Sequence, residues 1–363
     1  MKRQAFQELL EKNRQYIERL KAETDKLVIF GAGNTSELYQ QCFEAEGLVI
    51  AGFLDNDPDK IGKCFMGGDI TPADQVKEIY GADALVVIAT ASDRTYRVLA
   101  GQMRELGMHF CGVDEYVFSQ HSPELVECFD SFADADSQAL YANLIAWRIR
   151  HQKPDLPCPY EEAYFSKPAF LELSRTEVFV DIGAYVGDTI ERYLMTHQGF
   201  FGKIYAFEPD PQNFTAIQYR AERLRKEWGL QKDRLQILPY GVGKENRTMA
   251  IKHEGDGLQS SLVESRDSDA EEVTRVVALD TYFREQSVSF LKADIESFEY
   301  DMLLGAENVI RRDVPKLAIC IYHNAMDMFR TMLWLKQLDL GYRFRLGHHS
   351  VIQAETVLYA YHP

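Results

Sequence analysis

Apolar side chains recur along the chain with two different periods, and this change of period predicts alternating helices and strands. Residues 2–22 carry apolar side chains at helical spacing, whereas short apolar runs such as 26–30 (KLVIF) and 178–181 (VFVD) predict buried strands. Strands that alternate with helices form a mostly parallel sheet. We therefore predict an α/β fold with two Rossmann-like domains.

The predicted elements fall into two series. In the first, strands are predicted at 26–30, 48–54 and 84–89 and helices at 35–46, 72–80 and 92–106. In the second, strands are predicted at 178–181, 203–207, 235–238, 290–293, 316–321, 342–347 and 355–361, and helices at 188–195, 211–228, 298–310 and 326–339. A short loop joins the last two strands, so this second sheet is expected to end in an antiparallel pair. The predicted domains are an N-terminal helix (1–25), a Rossmann-like nucleotide-binding-type domain (26–115), a helical connector or cap with a helix at 137–150 (116–176), and a second domain (177–363).

Composition excludes several classes of function. The net charge of −16 repels phosphate backbones, which makes a nucleic acid partner unfavourable and favours a small molecule or glycan. No apolar run reaches the roughly 18 to 20 residues that cross a bilayer, and the charged N-terminus does not resemble a secretory signal. The six cysteines are scattered without a Cys-x-x-Cys pair, so we expect free thiols in a cytoplasmic protein and no metal site.

The segment 178–188 (VFVDIGAYVGD) carries the strongest local signal for a ligand. Glycine after a strand permits a tight turn and a close backbone approach to a ligand. Asp181 precedes the first glycine by two residues, and an acid there suits an ammonium group, which S-adenosylmethionine has, better than a pyrophosphate. Asp181, Gly183, Ala184 and Gly187 are therefore candidate cofactor contacts.

Glu208 ends the next predicted strand, 27 residues after Asp181. A carboxylate at this strand end can accept hydrogen bonds from both hydroxyls of a ribose. Together with the glycine turn, Glu208 predicts a site for the cofactor's nucleoside. The alternative is an ordinary α/β turn with a helix-capping acid.

Charged residues also end the strand at 290–293. Alternation puts Lys292, Asp294 and Glu296 on one face, where they are expected to point into the cleft at the carboxyl ends of the strands. Buried charges are costly without a partner or ligand. We predict that Asp294 contacts the cofactor and that Asp294 and Glu296 are catalytic residues. The alternative is a salt-bridge network in which these charges satisfy one another.

His323 ends the strand at 316–321 and can reach the same cleft. Methyl transfer to a hydroxyl requires removal of its proton, and histidine titrates in a suitable range. His323 is thus a candidate base, with Asp294 and Glu296 as competitors. His348 and His349, in the loop before the last strand, are weaker candidates for substrate contact.

Over residues 177–361 the sequence resembles the FkbM family of methyltransferases. The matching stretches are VFVDIGAYVGDTI, IYAFEPDPQNF, VVALDTYF, FLKADIESFEYDMLLGAENVI, PKLAICIYH and ETVLYA. The resemblance implies a Rossmann-like methyltransferase fold that uses S-adenosylmethionine, mostly for O-methylation of sugars or natural products. It also implies cofactor contacts from Asp181, Gly183 and Glu208 and a functional place for Asp294 and Glu296. The family usually has a small Gly-Ala pair where this chain has Ser297-Phe298, so Phe298 is expected to reshape the pocket.

The sequence of the first domain is compatible with several ligands and roles. Gly31-Ala32-Gly33 after a strand, with Asp55 at the next strand end, imitates a dinucleotide fingerprint, but Ser36 replaces its third glycine. NAD binding, sugar-nucleotide binding and a structural or homodimer-forming role are the alternatives. For the whole chain, the leading hypothesis is an O-methyltransferase, and the alternative is a sugar-nucleotide-binding or scaffolding protein with an inactive methyltransferase half.

Overall fold

A computed structural model describes residues 1–24, 26–45, 49–156, 163–254, 259–263 and 272–362. The chain forms two compact units, one comprising 1–157 with 324–329 and the other 158–323 with 330–363. Both are α/β units whose largest sheet is mostly parallel, which confirms the predicted fold class. None of the described helices combines the length and apolar character needed to traverse a bilayer.

The first unit is built on a six-stranded sheet of order β3-β4-β2-β1-β5-β6. Its strands are β1 (Leu27–Phe30), β2 (Ile50–Asp55), β3 (Cys64–Phe65), β4 (Gly68–Pro72), β5 (Leu85–Ile88) and β6 (His109–Gly112). Its helices are α1 (Arg3–Ala22), α2 (Asn34–Ala45), α3 (Val76–Tyr80), α4 (Asp93–Glu105), α5 (Val113–Gln120), α6 (Ser122–Ser131) and α7 (Ala135–Arg150). All pairs are parallel except β3 with β4.

The predicted helix at 72–80 is only partly correct, because β4 extends to Pro72 and the α-helix begins at Val76. The strands β3 and β4 escaped prediction since they are short, carry few apolar residues and flank a turn at Gly67. The unit's interior is conventional: Val28, Val86 and Met103 are completely buried between the sheet and its helices.

Residues 324–329 belong to the first unit although they lie late in the chain. The hydroxyl of Tyr39 donates to Asp114 (2.8 Å) and accepts from the backbone N–H of Ala325 (2.6 Å). Arg148 completes the group with an ion pair to Asp114 at 3.0 Å. A buried tyrosine that is satisfied on both sides fixes the position of this segment.

The second unit contains a seven-stranded sheet of order β16-β17-β15-β14-β7-β8-β9 and a four-stranded sheet of order β10-β13-β11-β12. Its strands are β7 (Val178–Ile182), β8 (Lys203–Phe207), β9 (Leu235–Leu238), β10 (Tyr240–Val242), β11 (Arg247–Glu254), β12 (Gln259–Val263), β13 (Val273–Val277), β14 (Phe290–Ala293), β15 (Lys316–Cys320), β16 (Arg343–His348) and β17 (Thr356–Tyr361). Its helices are α8 (Asp188–Thr196), α9 (Pro211–Trp228), α10 (Leu279–Tyr282), α11 (Glu299–Leu304), α12 (Glu307–Asp313) and α13 (Asp327–Gln337), the last of which begins in residues of the first unit. The predicted antiparallel closing pair is confirmed by β16 and β17.

Two features of this unit differ from the prediction. The four-stranded sheet was missed, because strands such as β13 expose alternate residues and contain Thr274 and Arg275, so no apolar run marks them. The single helix predicted at 298–310 is in fact two helices, α11 and α12, separated at Gly305. A side chain at Gly305 would lie 2.1 Å from the carbonyl oxygen of Gly243, so this close approach requires glycine.

An aromatic core holds the central strands β7 and β14. Phe179 of β7 stacks on Tyr193 of α8 at 4.4 Å between ring centroids and packs against Phe290 of β14 at 4.8 Å. Phe165 and Phe170, both buried, extend the same core. Close packing on this scale resists displacement, so the carboxyl ends of β7 and β14 are fixed relative to each other.

Candidate active site

A cavity of about 870 Å³ opens at the carboxyl ends of the parallel strands in the second unit. Gly183 follows β7, Glu208 follows β8 and Asp294 follows β14, and all three line it. Parallel strands end at one edge of their sheet, and open α/β sheets bind ligands there. The structure thus brings these three candidate residues together at one cavity.

The glycine bend after β7 lies unusually close to the neighbouring strand end. Gly183 has φ +74°, and an added Cβ would lie 1.9 Å from the carbonyl oxygen of Asp294. Lys292 donates to the carbonyl oxygen of Gly183 at 2.8 Å, which ties the bend to β14. Only glycine fits both the backbone angle and the space at this point.

Asp181 does not line the cavity. Its carboxylate is completely buried, and Oδ1 lies 3.0 Å from the Nζ of Lys292, which does line it. Burial raises the pKa of Asp181 to about 6 although Lys292 opposes this shift, and Asp181 in turn raises the pKa of Lys292 despite its burial. At neutral pH the pair is ionised, and Lys292 stands between Asp181 and the cavity.

Glu208 is held by two backbone donors. Oε2 accepts from the N–H of Tyr185 at 2.8 Å and Oε1 from the N–H of Asp210 at 3.0 Å. The residue is only 5% exposed, and burial raises its pKa to about 7 in spite of both hydrogen bonds. Each carboxylate oxygen keeps a second acceptor position for a ligand.

The other two candidates at the glycine turn lie outside the cavity lining. Ala184 is buried, and its N–H donates to the carbonyl oxygen of Phe207 at 3.0 Å. Gly187 precedes α8 with φ +82°, and an added Cβ would lie 2.8 Å from Ile217. Ala184 and Gly187 therefore determine the conformation of the turn and do not face the cavity.

Two tyrosines position the carboxylate of Asp294. The hydroxyl of Tyr164 donates to Oδ2 at 2.9 Å and that of Tyr322 to Oδ1 at 3.2 Å. Burial alone would raise the pKa of Asp294, but His323 and Lys292 outweigh it and keep the pKa below its usual range. Asp294 therefore stays ionised at the cavity wall.

His323 lies behind that wall among three carboxylates. Its Nδ1 is 3.0 Å from Glu299 Oε1, while Nε2 is 3.4 Å from Asp294 Oδ1 and 3.6 Å from Glu296 Oε2. Its side chain is 6% exposed and does not line the cavity, whereas Glu296 does. Burial lowers the pKa of His323, but Glu299 and the other two acids raise it to about 10. The structure thus brings the three candidate catalytic residues together and adds Glu299.

The backbone turns sharply where β14 leads into α11. Glu296 and Ser297 have φ of +50° and +77°, and this turn directs the Glu296 side chain to the cavity. Phe298 lies outside the lining, and the expectation that it reshapes the pocket stays a prediction. His349 lines the cavity and His348 does not.

Several lining residues carried no clear signal in the sequence. Tyr164 lies in the segment predicted as a connector, and Tyr240 and Leu262 belong to the sheet that the apolar pattern missed. Among the described residues, the charged side chains that line the cavity are five carboxylates and two cations, namely Asp188, Glu208, Asp294, Glu296, Glu355, Arg192 and Lys292. This excess of negative charge suits a cationic ligand better than a nucleoside diphosphate.

In the first unit, the turn that imitates a dinucleotide site is occupied by its own side chains. Asp55 accepts from the N–H of Ala32 at 2.9 Å and from Lys60 at 3.2 Å. The hydroxyl of Ser36 donates to the carbonyl oxygen of Gly31. Binding of NAD or of a sugar nucleotide by this unit stays a prediction.

The fold of the second unit is that of Rossmann-like methyltransferases. Residues 181–344 match the family model described as the methyltransferase FkbM domain. This part of the chain therefore belongs to the FkbM methyltransferase family.

Solved structures with low sequence identity were compared with the chain. A crystal structure of methyltransferase FkbM from Methylobacillus flagellatus is 18% identical, with 99% of this chain and 100% of that one covered at a TM-score of 0.59. An rRNA methylase from Streptococcus thermophilus (18% identical, 52% and 87% covered, TM-score 0.32) and the putative methyltransferase SMU.1697c from Streptococcus mutans in complex with SAH (12% identical, 52% and 90% covered, TM-score 0.32) are more distant. No curated protein matches the chain significantly.

Proposed function

We propose that the chain is an S-adenosylmethionine-dependent O-methyltransferase that acts on a hydroxyl of a sugar, glycoconjugate or related small molecule. The observation that carries the proposal is the pairing of Glu208 with the glycine bend at Gly183 at one edge of the cavity. The carboxylate supplies acceptors for two ribose hydroxyls, and the bend leaves space for a nucleoside beside the backbone.

The residues present fit this cofactor. A cavity of about 870 Å³ lies within the range of ligand pockets and has room for a second molecule beside a nucleoside. The predominance of carboxylates in the lining favours a ligand with sulfonium and ammonium groups. When bound, S-adenosylmethionine supplies an electrophilic methyl group. Glu208, Gly183 and Asp294 are the contacts we propose for it; Asp181 acts through Lys292, which orients the bend.

We assign proton removal from the acceptor hydroxyl to Glu296. Its side chain is 42% exposed at the cavity and lies 3.6 Å from His323 Nε2, whereas His323 itself is shielded from the cavity. A hydroxyl in the cavity therefore meets Glu296 or Asp294 before it can reach the imidazole. The side chain of Glu296 is 42% exposed and that of Asp294 is 22% exposed, which makes Glu296 the more accessible acceptor.

The test uses the full-length protein, S-adenosylmethionine with an isotope-labelled methyl group, and a panel of sugars and glycans. We expect mass spectrometry to detect one labelled methyl on a hydroxyl of at least one acceptor. Calorimetry should detect binding of S-adenosylmethionine and not of UDP-sugars by the second unit, and Glu208→Gln should abolish it. Absence of cofactor binding by the wild type would overturn the proposal, and binding of a UDP-sugar that Glu208→Gln abolishes would point to a binding protein instead.

A further inference from the structure

We propose that Asp294, Glu296 and His323 form a binding site for one divalent cation at the wall of the cavity. The inference concerns the site that the proposed function uses, but it stands on the geometry of these side chains. The carboxylates of Asp294 and Glu296 reach the cavity, and the imidazole closes the group from behind.

The Nε2 of His323 is spaced from each of the two carboxylates as neighbouring ligand atoms are in a metal coordination shell. Metal–ligand bonds of about 2.1 Å put neighbouring ligand atoms about 3.0 to 3.4 Å apart. His323 Nε2 lies 3.4 Å from Asp294 Oδ1 and 3.6 Å from Glu296 Oε2. Small side-chain movements would therefore enclose a cation among the three atoms.

His323 offers a buried nitrogen that the described residues leave without a hydrogen bond. Its side chain is 94% buried, yet Nε2 makes no hydrogen bond within this part of the chain. Buried polar atoms are normally satisfied, so such an atom that faces two carboxylates points to a missing ligand. This observation is independent of the acidic character of the cluster.

The residues that contact His323 and Asp294 from behind are arranged like the residues that orient metal ligands in known sites. Glu299, completely buried, lies 3.0 Å from the Nδ1 of His323 and holds a proton there, so a cation that binds at Nε2 has to displace only the second proton of the imidazolium. Tyr164 and Tyr322 orient Asp294 through its two oxygens. A carboxylate behind the imidazole and donors behind the carboxylate are recurrent features of metal sites.

The charges also favour a cation. Three carboxylates, those of Asp294, Glu296 and Glu299, surround one imidazole, and the nearby Lys292 is paired with Asp181. Two carboxylates and one imidazole suit Mn²⁺ and similar first-row ions. A cation at this position would coordinate a substrate hydroxyl and lower its pKa.

The test is binding of Mn²⁺ to the full-length protein after treatment with a chelator, followed by calorimetry and electron paramagnetic resonance. We expect one equivalent to bind and pulsed spectra to show ¹⁴N coupling from a coordinated imidazole. His323→Gln should remove this coupling and weaken binding by at least tenfold, and Glu299→Gln should weaken it about tenfold. Glu296→Gln, at a half-exposed position, serves as the ligand variant least prone to unfold and should also weaken binding.

Asp188→Asn is the matched control, because Asp188 is another carboxylate of the same cavity and should leave Mn²⁺ affinity unchanged. Circular dichroism verifies folding of each variant. No binding to the wild type at millimolar Mn²⁺ would overturn the inference. An affinity that His323→Gln leaves unchanged, together with wild-type spectra without nitrogen coupling, would overturn it as well. Either result would assign the cluster to an imidazolium held by carboxylates. Binding of S-adenosylmethionine is measured separately without metal, so failure of the cation site and failure of the proposed function give different results.

Discussion

The ammonium group of Lys292 lies 3.0 Å from the carboxylate of Asp181, and the two side chains are 2% and 0% exposed. Lys292 also donates to the carbonyl oxygen of Gly183 at 2.8 Å. One buried ion pair therefore connects the ends of β7 and β14 and supports the bend beside the proposed cofactor. A pair of this kind adds little net stability, but loss of one partner leaves a buried charge without compensation.

Lys292→Met is expected to lower the free energy of unfolding by about 3 to 5 kcal/mol, since it leaves the carboxyl of Asp181 buried without its ion-pair partner. Urea unfolding followed by fluorescence measures the shift. Lys226→Met is the control, because Lys226 pairs with Glu222 on the surface with 75% of its side chain exposed. Equal midpoints for the two variants would contradict the structural importance of the Lys292 pair.

Affinity for S-adenosylmethionine is expected to rise with pH through the titration of Glu208. Burial raises the pKa of this carboxyl to about 7, and only the ionised form offers every oxygen lone pair to the ribose hydroxyls. From pH 8 to pH 6 the ionised fraction falls, so the dissociation constant should increase about tenfold. Calorimetry at several pH values measures it.

Glu208→Asp provides the comparison for this pH dependence, since it keeps the charge but shortens the side chain. Its weaker binding should still depend on pH. An affinity of the wild type that is flat between pH 6 and pH 8 would mean that Glu208 does not contact the cofactor.

Gly183→Ala is expected to destabilise the second unit by about 3 kcal/mol or more and to prevent cofactor binding. The new methyl group would meet the backbone of Asp294 at 1.9 Å in addition to the strain of φ +74°. Gly229→Ala isolates the strain, because Gly229 has φ +62° with no atom within 4 Å of an added Cβ, and should cost only about 1 kcal/mol. Similar losses in the two variants, by thermal unfolding, would show that the contact with β14 is unimportant.

Glu296→Gln is expected to lower kcat by about 10² to 10⁴ with little change in affinity for S-adenosylmethionine, because it removes the proton acceptor. Steady-state kinetics with an acceptor that the isotope-labelling test finds measures this effect, and Glu307→Gln on the surface of α12 is the control. The assay is repeated with excess Mn²⁺. Recovery of activity under that condition would mean that Glu296 acts only as a cation ligand.

Apolar periodicity was sufficient to predict the parallel strands that form the site. β8 and β15 are buried after their first residue, so their sequences contain continuous apolar runs that stand out between polar turns. Strands of the smaller sheet have one exposed face, as in β13, and no such run marks them. The lining residues Tyr240 and Leu262 were missed for this reason.

The sequence by itself determined the α/β class, the family resemblance and the strand ends that bear Gly183, Glu208 and Asp294, because these depend on local pattern and on where parallel strands end. Only the tertiary structure decided which charges meet. It pairs Asp181 with Lys292 and puts Glu299 behind His323, since these contacts join residues of different elements whose side chains pack at distances that no spacing along the chain specifies.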